Sequence, residues 1–194
     1  TDNGSGNILT NSGWDDWTSN VPDNWTLVTG TAGTDIIENT GIVYDGDASL
    51  QIVGDGATLT QIRQRFDNSA GTSGTLDALT QYSFNVWVRR DGTAAAAGTL
   101  LVELVDNNFN IINDANGSPN RITIDLTTLS ITFTAYNGVF RTPLAMPSAA
   151  YIRLRLSVAL TSGRSVYLDK SSLAVMTQLY VGGPYLAVHA GSVP

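Results

Sequence analysis

The chain has 194 residues, no cysteine and a formal net charge of −7, with 42% hydrophobic and only 14% charged side chains. That length and apolar content suit one domain with a proper core. The acidity argues against a general nucleic-acid binder, and the missing thiols exclude disulfide frameworks, thiol catalysis and Cys-based zinc sites. No apolar run reaches the ~18 residues a membrane helix needs, so no membrane partner is expected.

Residues 1–6 are polar and Gly-rich and read as a leader or linker. Ile8-Leu9 opens an apolar stretch that ends at the turn Asn11-Ser12-Gly13, and Trp14, Trp17 and Trp25 follow around a turn at Pro22-Asp23-Asn24. Asp35–Tyr44 is a predicted strand, Asp45-Gly46-Asp47 a turn and Ala48–Val53 another strand. Leu59–Phe66 alternates, and a Gly/Ser/Thr-rich loop over 67–80 leads into the strand QYSFNVWVRR, residues 81–90. Leu100–Val105 and Phe109–Ile112 flank Asp106-Asn107-Asn108, a hairpin signal. Arg121–Leu126, Ser130–Ala135, Tyr151–Ala159 and Ser165–Val175 complete the predicted strands. Residues 177–194 read as an extension or arm, broken at Gly182-Gly183-Pro184. No helical period is sustained, and Ala94–Ala97 is too short for a helix. The expected fold is all-β, a two-sheet jelly-roll β-sandwich over residues 7–176 with a short N-terminal leader and a C-terminal arm.

Three stretches in order carry a resemblance: Asn7-Ile8-Leu9-Thr10-Asn11 with Trp14-Asp15, then Tyr44–Ile52, then Tyr82–Arg89, joined by the late strand Val166-Tyr167-Leu168-Asp169. The pattern resembles the jelly-roll carbohydrate-binding modules appended to xylanases and cellulases, and especially their relatives in bacteriophage virion proteins. The resemblance implies a structural calcium held in part by Asp15 and Asp169. Asp15 is one methylene shorter than the Glu more usual there, and calcium takes six to eight oxygens. The plainer reading is that the two acids cap turns.

Strand alternation divides the residues between faces. Tyr82, Phe84, Val86 and Val88 belong inside; Asn85, Trp87 and Arg89 point out. The same split puts Gln61, Arg63, Arg65, Leu101, Glu103, Val105, Tyr151, Arg153 and Arg155 on outer faces. If these strands share one sheet, half of the 10 Lys and Arg lie on one face of an acidic protein. Such a face fits three uses: a sugar platform on Trp87 or Tyr151 with Arg, Asn and Gln as polar partners, a protein interface, or a surface covered by loops or the arm.

Trp14 and Trp25 are expected in the core, with Trp17 the least constrained of the three. His189 has no Ser-Asp setting around it, and no pair of acids faces across a cleft as glycoside hydrolysis requires, so no enzyme is expected. The leading expectation is a non-catalytic protein on the virion exterior, a capsid decoration or fibre subunit that binds viral capsid or tail subunits as a homo-oligomer. The alternative is an extracellular glycan-binding module, from a secreted polysaccharide-degrading enzyme or a host-surface adhesin, whose partner is a polysaccharide.

Overall fold

A computed structural model describes residues 6–67, 75–92 and 97–176. The expected arm over 177–194, with His189, lies outside these residues, as does nearly all of the leader. The elements in chain order are β1 (Trp17–Thr18), β2 (Val21–Pro22), β3 (Trp25–Thr29), β4 (Ile36–Asn39), β5 (Ser49–Val53), β6 (Gln61–Asp67), β7 (Gln81–Arg90), β8 (Thr99–Asp106) and β9 (Arg121–Asp125). A 3-10 turn (Leu126–Thr128) precedes β10 (Thr134–Arg141), β11 (Ala149–Leu156) and β12 (Ser165–Val175).

Apart from the small β1–β2 ladder, these strands form two antiparallel five-stranded sheets, ordered β10-β7-β12-β5-β4 and β3-β6-β11-β8-β9. We call them the Trp87 sheet and the arginine sheet. The result is a jelly-roll sandwich, with the chain crossing repeatedly between layers. Period-two alternation explains it: Tyr82, Phe84, Val86 and Val88 of β7 are buried, facing Ile62, Phe66, Leu100, Val102, Ile152 and Leu154 of the other sheet in one core. Each such burial contributes roughly 1.5–3 kcal/mol before ordering entropy is counted. Trp14 and Trp25 are core residues, their rings 4.5 Å apart.

Several sequence expectations shift. The strand expected over Asp35–Tyr44 ends at Asn39, because Asn39 Oδ1 accepts from the backbone N–H groups of Gly41 and Ile42 and turns the chain. Phe109–Ile112 makes one bridge, Val105 with Ile111, instead of a strand, since the Asp106 carboxylate gathers the N–H groups of Asn108 and Asn110 into a turn. The strand expected over Ser130–Ala135 begins at Thr134 and runs on to Arg141 along β7. The premise that all the outward residues share one sheet is overturned. β6 and β7 are consecutive yet lie in opposite layers, so Asn85, Trp87 and Arg89 are separated from the other candidates by the whole core.

Candidate functional site

The outer face of the Trp87 sheet is built in rows of directly paired residues. Trp87 stands opposite Asp169 of β12 and Ala135 of β10; Arg89 stands opposite Tyr167. Between Asp169 and Ser172 the register slips by a β-bulge, with Lys170 in the left-handed region at φ 43°. A bulge leaves backbone groups without ladder partners and re-aims side chains, which is why bulges gather near sites. Here the N-terminal segment fills the gap: Ser171 N–H and Oγ–H both donate to the Ser12 carbonyl, at 2.7 and 3.0 Å. Asn7 adds a reciprocal pair, donating to Ser171 O and accepting from Leu173 N–H. Residues 7–13 are thereby stitched beside β12 and raise one wall.

The other wall is the turn Asp45-Gly46-Asp47, held by two carboxylates. Asp169 accepts from the N–H groups of Tyr44 (2.7 Å), Asp45 (3.3 Å) and Lys170 (2.6 Å). Asp15 Oδ1 accepts from Asp47 N–H (2.6 Å) and Ala48 N–H (3.2 Å). Gly46 has φ +82°, and a Cβ there would collide with the Asp15 carboxylate. Only glycine fits that position. Burial pushes Asp169 up to about 6; the three N–H bonds oppose the shift and the Asp15 charge adds to it.

The calcium implied for Asp15 and Asp169 does not fit this arrangement. The turn aims N–H donors at both carboxylates where a hard cation needs oxygens. Among the described residues no three His, Asp or Glu side chains gather closely enough to share a metal ion.

Between the walls lies a cleft of about 560 Å³, floored by Asn85, Trp87, Ser172 and Ala174 and flanked by Asn7, Ser12, Asp15, Asp45, Asp47 and Lys170. Tyr44 stacks on Trp87 at 3.9 Å and 16° but does not line the cleft, so it backs the indole and leaves its other side to the opening. Phe133 tilts against Tyr44, and Arg89 lies 5.7 Å from both the Phe133 and Tyr167 rings, so its guanidinium is committed to an aromatic cage. Asn85 donates Nδ2–H to Asn137 Oδ1 at 2.6 Å, while its own Oδ1 is buried and has no hydrogen-bond partner among the described residues. Lys170 pairs with Asp45 at 2.8 Å.

The remaining candidates lie on the far side of the molecule. Across the arginine sheet runs one row of paired residues, Thr26–Arg63–Arg153–Glu103–Arg121. Glu103 is fully buried and takes Arg153 at 2.6 Å, Arg121 at 2.7 Å and Arg155 at 2.8 Å. Burial would raise its carboxyl, but the guanidiniums of Arg155, Arg153 and Arg121 outweigh that and hold it below the usual range. Arg63 rests over Tyr151 at 4.0 Å and Phe109 at 4.6 Å. Tyr151, Leu101 and Val105 point outward yet are buried, so Tyr151 offers no free platform. Gln61 and Arg65 complete the β6 side of this face.

Sequence reading missed Tyr44, Asn7 and Lys170. Tyr44 sits in a loop with no periodicity, and nothing local ties it to a strand more than forty positions away.

No protein-family model matches the sequence, and no curated protein matches it. Solved structures do. Family 16 carbohydrate-binding module-2 is 20% identical over 81% of this chain and 97% of its own, with a TM-score of 0.53. TmCBM61, solved with β-1,4-galactotriose, gives a TM-score of 0.59 at 13% identity and covers 89% of this chain and 100% of its own. The fold is that of the jelly-roll carbohydrate-binding modules. The enzymatically active domain of bacteriophage CBA120 tailspike protein 4 also matches, with a TM-score of 0.60 and 13% identity over 88% of this chain, which spans 21% of that one.

Proposed function

We propose that the chain is a non-catalytic glycan-binding module whose ligand lies in the cleft over Trp87. The observation that carries this reading is the Trp87 indole, backed on one side by Tyr44 and set in the floor of the cleft. A sugar ring offers the two complements: an apolar C–H face for the indole and hydroxyls for the polar groups that line the cleft. Asp15, Asp45 and Asp47 make the walls acidic, with Lys170 already tied to Asp45. A neutral glycan suits those walls; an anionic one is repelled. Similar modules solved with β-1,4-galactotriose or described as xylan-binding support the choice of ligand class.

The expectation of a virion surface protein yields first place to this reading. Its support is the tailspike likeness, which covers a fifth of that chain's length, 21%. The two are compatible, because a module on a particle can bind a host-surface glycan. Native affinity electrophoresis through gels containing xylan, β-1,4-galactan or mixed-linkage β-glucan tests the proposal. Retardation by at least one neutral polysaccharide is expected. Free migration in every gel overturns it.

A further inference from the structure

We infer that the outer face of the arginine sheet is a second binding surface, for an acidic polysaccharide, independent of the cleft. Arg63, Arg65, Arg121, Arg153 and Arg155 are five of the chain's 10 cationic side chains. Among the described residues the carboxylates paired with them are Glu103 and Asp67, and Asp67 reaches Arg65 only at 3.8 Å. Asp125, at the sheet's edge, is engaged as the cap of the 3-10 turn by Thr127. Arg63 stands directly opposite Arg153, an arrangement of like charges that destabilises a sheet unless anions offset it. One buried carboxylate offsets part of it. Arg63 Nε and Nη1 are buried with the guanidinium over the Tyr151 and Phe109 rings and have no hydrogen-bond partner among the described residues, so the charge of Arg63 acts on this face without a direct contact.

The charge and exposure of this face point to the class of partner it fits. The outward apolar side chains Leu101, Val105 and Tyr151 are already buried and Phe109 is the exposed aromatic packed on this face, a smaller apolar area than the centre of a stable protein interface. What reaches solvent is cationic: Arg65, Arg121 and Arg155 have 58, 36 and 27% side-chain exposure, the last two sharing Glu103, beside the exposed residues Asn107, Asn108 and Asn110. Guanidinium forks take carboxylate or sulfate groups bidentately, and amides serve hydroxyls. The net charge of −7 opposes a densely charged nucleic acid more than a polysaccharide with one charge per sugar.

The test is native electrophoresis of the whole chain through polygalacturonate, with neutral dextran and single-stranded DNA as parallel gels. Polygalacturonate should retard the protein, with retardation fading as salt rises, while dextran and DNA do not. The double variant Arg65→Gln/Arg121→Gln avoids the buried Arg153 and should weaken retardation about tenfold; Glu103 keeps Arg153 and Arg155, so the fold should persist with a lowered melting temperature. Trp87→Ala should leave it intact, which separates this surface from the cleft. If the double variant misfolds, protection of guanidiniums from phenylglyoxal by polygalacturonate in the wild type gives the same reading. Absence of retardation, persistence in the folded double variant, or equal retardation by DNA overturns the inference. So does a salt-sensitive dimer that the same substitutions dissolve, since a second copy would then be the occupant.

Discussion

Tyr44 lies flat on Trp87, ring centroids 3.9 Å apart, although one residue comes from a loop and the other from the middle of β7. Asp169, directly opposite Trp87 in the sheet, holds that loop by the N–H groups of Tyr44 and Asp45. The contact thus couples a cleft wall to the cleft floor. Tyr44→Ala should lower stability by about 1 kcal/mol, the worth of an aromatic pair, in urea unfolding. It should also weaken glycan binding severalfold, although Tyr44 does not line the cleft.

Gly46 tests the same wall from its other end. Gly46→Ala meets both a positive φ and the Asp15 carboxylate, so the turn must move. A loss of about 1–3 kcal/mol in chemical unfolding is expected. Gly92, with open space around it, should accept the same change within a few tenths of a kcal/mol.

Much of this was legible in the sequence, and the gaps have a physical origin. Alternation in 81–90 correctly separates the core residues of β7 from Asn85, Trp87 and Arg89. It also brings Arg63, Arg153 and Glu103 into one row. Periodicity fixes which face a side chain takes within a strand; it says nothing about which layer the strand joins. In this jelly roll some successive strands pair within a layer and others change layer, so β6 and β7 follow each other in sequence and end up back to back. The bulge at Lys170 was equally hidden, because a left-handed lysine leaves no compositional mark.

Glu103 anchors the opposite face. Its carboxyl is held below the ordinary value of 4.5, so its stabilising effect is complete above that pH and is lost as pH falls through the depressed value. Glu103→Gln leaves three guanidiniums around a neutral amide and should cost about 3–5 kcal/mol at pH 7. The gap between variant and wild type should close progressively as the pH is taken below 4.5. Urea unfolding at a series of pH values measures both.

Asp169 behaves with the opposite sign. Its folded value of about 6 stands above the ordinary 3.8, so between those limits the native state holds a proton that the unfolded chain has released. Stability from this group therefore falls as pH rises from about 4 to 6, by on the order of 3 kcal/mol. Asp169→Asn removes the titration, and the variant should gain on the wild type across that window. A difference curve that is flat from pH 4 to 6 would contradict the assignment.

The measurement that bears most directly on the glycan cleft is calorimetric titration of wild type and Trp87→Ala with the oligosaccharide of whichever neutral polysaccharide retards the protein. Tyr44-backed stacking predicts a loss of about thirtyfold or more in affinity for Trp87→Ala, with the near-ultraviolet dichroism of the core tryptophans preserved. Equal affinity in the two proteins, both folded, would mean that the indole is packing alone and that the cleft over β7 is not the binding site.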